Sequence, residues 1–505
     1  MTPLEGKKVL IFQQRSWGKN IGHNLARALA HQGCELHAIT ISEKSNFFVR
    51  SQKEVTYKNI RFMDILRTNP EEYLGTDEFS LTEINQALGI YSIWPLVQSA
   101  RYHVKSYADK YYYGFKQNKS DEEIILYIKA IYKFVKNCFQ DFQPDCILSP
   151  NFVGLPHIIF NLYGKKYSVE MIAVSDSKID GVFYFPKHFQ EKESRFIDRF
   201  KVLESGERSA QIETAKKFIK EKTNRLLNTA PKAPAPPPLI RRIKNELRPF
   251  YISLLHLKNY PLFMDRKDIT IDQKPIYYIF RDHFAHKKNT SEVNSYPYFN
   301  FDDVKKCIYF PLQFQPEETI DVDAPRFNNQ IETARQVAMS LPEDYTLIVK
   351  DHPSMLGFRP VSYINKVART PNVKLVDYRT PTIAILQKAD MVISSNGGTI
   401  LFEAALLGKK SIQLGELGKT LILPNVTHHT NLSTLDAKLV ELLDQEIDLQ
   451  VHNKQLENYV AAMLEMGVKV KYVEAWEGKA TDDTQVLIDA WIKEILYSLS
   501  KKSSR

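Results

Sequence analysis

Short apolar runs alternate with amphipathic stretches along most of this chain, and the two periodicities mark two kinds of element. The first run, KKVLIFQ (7–13), has a continuous aliphatic centre, the pattern of a strand buried on both faces. A polar loop, QRSWGKN (14–20), leads into NIGHNLARALAHQG (20–33), which repeats apolar positions at helical spacing and stops at Gly33 as a C-cap residue. ELHAITI (35–41) reads as the next strand. A helical, aromatic-rich stretch fills about 80–140, after which PDCILSP (144–150) and VEMIAVS (169–175) return to strand character. This strand-loop-helix-strand order predicts an N-terminal α/β domain carrying a helical insertion.

The second half is more regular. Strands are predicted at 307–314, 345–350, 372–378, 390–394 and 411–415, with helices at 328–342, 380–389 and 398–408 between them. Alternation of this kind builds a second parallel sheet. TQVLIDAWIKEILYSLS (484–500) is a final amphipathic helix. Between the halves, charged helical sequence runs into APKAPAPPP (230–238), an extended connector that neither a helix nor a central strand tolerates. RRIKNELRPFYISLLHLKNYPLF (241–263) is both basic and apolar: a helix packed within the connector, or one lying on an anionic membrane face. The expected fold class is α/β, with two doubly wound Rossmann-type domains facing across a cleft. The expected boundaries are 1–190 for the first α/β domain with its helical insertion, 191–300 for the connector, 301–480 for the second α/β domain and 481–505 for a terminal helix with a basic tail.

Composition narrows the classes of function. With 505 residues, 43% hydrophobic and 25% charged, the chain has the balance of a multidomain globular protein. Its start, MTPLEGKKVLIF, lacks a signal-peptide pattern, and the sequence holds no charge-free apolar run of membrane-spanning length, so a cytoplasmic location is expected. Cys34, Cys138, Cys146 and Cys307 have spacings that suit neither a zinc site nor a disulfide framework, and read as buried thiols. A net charge of +9 favours an anionic partner, such as a phosphorylated substrate or an anionic leaflet. No nucleic-acid motif accompanies that charge, and nucleic acid is not expected as a partner.

Three stretches at predicted strand ends carry candidate chemistry. In SSNGGTILFEAALLG (394–408) a strand ends at a glycine turn before a helix. Glycines admit a ligand close to the backbone, and a helix N-terminus offers free N–H groups to an anion. Ser395, Gly397, Gly398 and Thr399 are therefore candidates for cradling a phosphate, with Glu403 accepting hydrogen bonds from a ribose or sugar hydroxyl. In LIVKDHPSMLGFR (347–359) a strand delivers Lys350 and His352 to its carboxyl end, a cation and an imidazole suited to a phosphate, and Arg359 adds a bidentate donor. YFPLQFQPEE (309–318) leads to the same edge and offers Gln315 and Glu317 to a base or sugar.

Taken in order, these stretches resemble the capsular and surface polysaccharide biosynthesis proteins of bacteria, the group that includes the β-Kdo transferases of capsule export. The resemblance spans about 305–425. It is carried by Pro311 to Glu317, Asn329–Gln330, Leu341–Pro342, Val349 to Pro353, Gly357 and Arg359, Pro371 to Leu375, Gly398–Thr399, and Glu403 to Lys409. Asp351 stands where that group often has glutamate. The resemblance implies a GT-B fold and a glycosyltransferase. The second domain would hold a nucleotide-activated sugar, a CMP-sugar such as CMP-Kdo being favoured, with Lys350 and His352 facing its phosphate. The first would bring a growing surface polysaccharide or a lipid-linked oligosaccharide. The donor is a substrate, and neither a cofactor nor a metal is expected.

Glycosyl transfer also needs a carboxylate to deprotonate the acceptor hydroxyl. GTDEFSLTEIN (75–85) offers Glu78, then Asp77, with Glu83 in the following helix; Asp176 and Asp180 are the alternatives. Rival readings are a teichoic-acid-type transferase using a CDP-polyol, a sugar-nucleotide epimerase, and a non-catalytic export or scaffold protein.

Overall fold

The computed structural model describes residues 3–105, 117–228, 238–258 and 275–503. The chain forms two compact units, each built around a parallel sheet. The first comprises Met1–Ser99, Ser120–Ala215 and Glu457–Arg505; the second comprises Ala100–Lys119 and Lys216–Leu456.

In the first unit, β1 (Lys8–Gln13), β2 (Glu35–Thr40), β3 (Asn59–Phe62), β4 (Cys146–Leu148) and β5 (Glu170–Ile172) are ordered β3-β2-β1-β4-β5. All pairs are parallel, with Val9 opposite Leu36 on one side and Cys146 on the other. The aliphatic centre of β1 explains its central place: Val9 and Ile11 meet Trp17, Ile21 and Leu25 on one face. Phe12 packs edge-on against Phe160 of the helix Leu155–Lys166, 5.1 Å between ring centres. The helix Asp121–Phe142 begins at a reciprocal Ser120–Glu123 capping box and buries eleven of its side chains. A short antiparallel ribbon, β6 (Ser175–Asp176) and β7 (Val182–Tyr184), follows.

In the second unit, β8 (Cys307–Pro311), β9 (Thr346–Lys350), β10 (Val373–Val376), β11 (Met391–Ser394), β12 (Lys410–Gln413) and β13 (Val426–His428) are ordered β10-β9-β8-β11-β12-β13. Every pair is again parallel. Ile308, Phe310, Val349 and Ile393 form the core with helix residues such as Val337, Ile364 and Leu439. Beyond this unit the chain returns to the first: β14 (Val468–Lys469) pairs antiparallel with β7. The helix Thr481–Ser503 sends Leu487, Trp491 and Ile495 into the core around Trp17.

The predicted strands of both sheets are present within a few residues, and both sheets have the doubly wound order. β3 and β13 have no counterpart in the sequence reading. Both are edge strands whose residues are exposed or half-buried, so no apolar run marks them. The units also cut across the expected boundaries of 1–190, 191–300, 301–480 and 481–505. The terminal helix is core of the first unit, and a segment from inside 1–190 belongs to the second. In that segment Lys105 pairs with Asp321 at 3.0 Å. The connector region contains the helices Arg195–Glu204, Ile212–Asn228, Leu239–Lys258 and Ile276–Asn294. The proline run at 230–238 lies outside the described residues except Pro238, as do 259–263 of the basic-apolar segment.

Candidate functional site

In the second sheet the strand order reverses between β8 and β11: β9 and β10 extend one way, β11 to β13 the other. Loops leaving adjacent strands toward opposite faces open a crevice at their carboxyl ends, where α/β sheets bind ligands. The three candidate stretches converge here, since β8 ends at Pro311, β9 at Lys350 and β11 at Ser394.

The loop after β9 is held from below. Arg359 is fully buried; Nη1 donates to Asp351 and Nη2 to the Gln313 carbonyl at 2.8 Å. Asp351 Oδ1 also accepts the His352 N–H at 2.7 Å. Arg359, expected on the ligand, is thus the internal brace that ties the β8 and β9 loops together. Lys350 is buried too, and donates to the Thr380 carbonyl at 3.0 Å and Thr382 Oγ1 at 2.6 Å. Burial pushes its pKa down to about 8, with Glu403 pulling the other way. His352 is half-buried, and its Nδ1 accepts the Ser354 N–H at 3.1 Å, capping a short helical turn. Its ring lies edge-on to Phe314, 5.9 Å between centres. Burial lowers the imidazole pKa, with Glu317 and Asp351 opposing. In the neutral ring the accepted N–H at Nδ1 places the remaining proton on Nε2.

The glycine turn after β11 rests on a buried polar lattice. Asn396 donates to the Thr319 carbonyl at 2.7 Å and accepts from Gln413 Nε2 and the Leu417 N–H. Thr420 donates to Gln413 Oε1 at 2.6 Å. Gly397 sits so close above this lattice that a Cβ would fall 1.9 Å from Thr420 Oγ1. Gly398 has φ +151°, a conformation for glycine, and opens the helix Thr399–Leu406 with free space where a Cβ would be. Thr399 is exposed on the first turn of that helix. Ser395 Oγ is buried and has no hydrogen-bond partner among the described residues. A buried hydroxyl without a partner is costly unless something satisfies it. Glu403 is half-buried, and burial raises its pKa against the pull of Lys222 and Lys350.

The loop after β8 separates its two candidates. Gln315 is buried; its Oε1 accepts from Gln330 at 3.0 Å and its Nε2 donates to the Asn328 carbonyl at 2.9 Å. It braces the loop instead of offering itself to a base or sugar. Glu317 is exposed, with its carboxylate accepting from Thr319. Sequence reasoning missed Asp321, fully buried beside Lys105 and Arg101, because its cationic partners lie more than two hundred residues earlier in the chain. It also missed the half-buried Gln313 and the buried amides Gln330, Asn396 and Gln413, whose polarity beside apolar strands was the available signal.

In the first unit, Asp77 pairs with Lys133 at 2.7 Å and Asp176 with Lys178 at 2.8 Å. Glu78, Glu83 and Asp180 are exposed, with Tyr132 OH donating to Glu83 at 3.4 Å. Neither of these two stretches is gathered into a carboxylate cluster among the described residues. Among the described residues, no group of three or more His, Cys, Asp or Glu is placed to hold a metal ion. The loop after β1 does line a cavity of about 340 Å³, with Gln13, Arg15, Lys19 and Lys44 among its lining residues and no carboxylate among them. Arg15 N–H is fixed by Ser45 Oγ at 3.0 Å.

Two Rossmann-type α/β units in one chain, with a glycine turn and a histidine loop at the switch point of the second, make this an α/β protein built on two doubly wound parallel sheets. No protein-family profile and no curated protein matches the chain. Solved structures similar to it include KpsC from Thermosulfurimonas dismutans, a β-Kdo 2,4 transferase, at 11% identity and TM-score 0.34, covering 68% of this chain and 87% of that one. The UDP-GlcNAc 2-epimerase of Neisseria meningitidis is similar at 12% identity and TM-score 0.22, covering 96% and 100%. A glycosyltransferase from Rickettsia africae is similar at 9% identity and TM-score 0.27, covering 98% and 99%. These are remote likenesses of architecture, and the two Rossmann-type units are read from the strand orders themselves.

Proposed function

We propose that the chain is a glycosyltransferase that moves a sugar from a nucleotide-activated donor, a CMP-sugar such as CMP-Kdo first among candidates, to a surface polysaccharide or lipid-linked acceptor. The observation that carries this reading is the switch-point edge of the second sheet. There the half-buried His352, with Nε2–H as its remaining donor, shares one edge with the glycine turn and the N-terminus of the helix Thr399–Leu406. In the proposed reaction the acceptor oxygen bonds to the anomeric carbon as the bond from that carbon to the donor phosphate breaks. Negative charge grows on the leaving phosphate, and N–H donors fixed in a low-dielectric site stabilise it. The buried Lys350 adds positive potential from behind the loop, so the reading assigns this charge to protein groups and not to a metal. Glu403 is the proposed partner of a donor hydroxyl. Asp77 is committed to Lys133, which leaves Glu78 as the proposed base from its loop. The cationic cavity beside β1 is the proposed place for a phosphate on the acceptor.

The test is a thermal-shift screen of the full chain with CMP, CDP, UDP, GDP and ADP. Binding at about a hundred times Kd stabilises by roughly 2.7 kcal/mol, a shift of a few degrees. A selective response to CMP is expected. Absence of a shift with every nucleotide sinks the proposal, selective CDP binding with CDP-glycerol turnover redirects it to polyol-phosphate transfer, and acceptor-independent conversion of UDP-GlcNAc redirects it to epimerisation.

A further inference from the structure

The helix Leu239–Lys258 wears its amphipathic pattern inside out. Ile240, Ile243, Leu247, Phe250, Tyr251 and Leu254 are all exposed, Leu254 by 65% and Tyr251 by 63%. At 3.6 residues per turn these six fall within an arc of about 100°, one continuous apolar stripe. Among the described side chains of this helix the buried positions are Pro249 and Ser253, and Ser253 Oγ donates to the Pro249 carbonyl at 2.7 Å. Glu246, exposed but on the same arc, pairs with Lys287 of the helix Ile276–Asn294, and His283 of that helix lies 3.5 Å from its carboxylate. A helix that served only to cover a protein core would turn the stripe the other way.

Charge decides what covers it. Arg241, Lys244 and Arg248 lie along one border of the stripe, exposed, while Glu246, the single acid of the helix, is spent on its neighbour. Tyr277 and Phe284 of the adjoining helix add exposed aromatic surface. A second copy of this face, docked symmetrically, would bring Lys244 and Arg248 against cations of its own kind. An anionic lipid leaflet offers what the surface lacks: acyl chains for the stripe and phosphates for its cationic border. No described helix is long and apolar enough to cross a membrane, so the contact is one lying in the interface. We propose that Leu239–Lys258 docks the protein on an anionic membrane surface.

The experiment is co-sedimentation of the full chain with vesicles of phosphatidylcholine alone or mixed with phosphatidylglycerol, at low and high salt. It needs no nucleotide or acceptor, so it stands or falls apart from the transferase reading. Binding to the anionic vesicles is expected to be about tenfold tighter or more, and to weaken with salt. Leu247→Glu with Leu254→Glu should lower it at least about tenfold while Tm is retained, because both side chains already face water. Lys244→Glu with Arg248→Glu should remove the preference for anionic lipid. Absence of binding at low salt, or unchanged binding by the leucine variant, overturns the proposal. So does a wild-type dimer that the leucine variant dissociates while neither binds vesicles.

Discussion

The two ring nitrogens of His352 face different tasks, and that makes its role separable. Nδ1 caps Ser354, a local bond typically worth about 1 kcal/mol, while Nε2 carries the proton proposed to reach the donor phosphate. His352→Ala removes both, so a small fall in Tm and a fall in kcat of about 10²- to 10³-fold are expected. His352→Asn keeps an acceptor near the Nδ1 position. It should recover Tm and leave kcat low; recovery of kcat as well would reduce the imidazole to a cap. Lys350 adds a pH signature. Its folded pKa of about 8 lies below the usual 10.5, so between those values the unfolded chain holds a proton the folded one has lost. Stability of the empty protein therefore rises with pH across that window, and below it the buried ammonium imposes a constant cost. A bound phosphate favours the protonated lysine. Donor affinity should be flat below pH 8 and fall by up to about tenfold per unit above it. The same profile in Lys350→Met would show that another group is responsible.

At the scale of elements, the strand-turn-helix from β11 to Thr399–Leu406 uses its two glycines for different reasons. Gly397 is required by space: its Cβ would displace Thr420 from Gln413 Oε1, and overpacking of this kind costs about 3 kcal/mol. Gly398 is required by conformation: nothing lies within 4 Å, but φ +151° strains any other residue by about 1–2 kcal/mol. Gly397→Ala should thus lower Tm more than Gly398→Ala, and Thr420→Ala should partly rescue only the former. Equal losses without rescue would contradict the assignment. The inverted helix Leu239–Lys258 belongs to this scale too. Its apolar period was plain in the sequence, but period alone says that a helix has an apolar face and not which way that face turns.

At the scale of the whole molecule, each unit is assembled from distant pieces of chain. The first is completed by Glu457–Arg505, whose Trp491 meets Trp17 at 6.3 Å between ring centres. The second takes in Ala100–Lys119, which supplies Lys105 to the fully buried Asp321. A buried carboxylate stripped of its cation is costly, so this inserted segment stabilises the loop after β8 as part of the unit's own interior.

What the sequence determined by itself was local and periodic. Aliphatic runs such as KVLIFQ and TLIVK fixed the central strands, because a strand buried on both faces has no polar alternation to obscure it. Gly397–Gly398 before an apolar helix marked the turn, since a residue without a Cβ suits both a close approach and an unusual backbone conformation. Tertiary structure decided the rest. It turned Arg359 and Gln315 inward as braces, set Asp321 opposite Lys105, recruited the last helix to the first core, and aimed the stripe of Leu239–Lys258 outward. Each of those outcomes depends on contacts between residues far apart in the chain or on which side of an element meets a neighbour. Neither leaves a period in the sequence, because hydrogen bonds and ion pairs are set by where side chains meet in space.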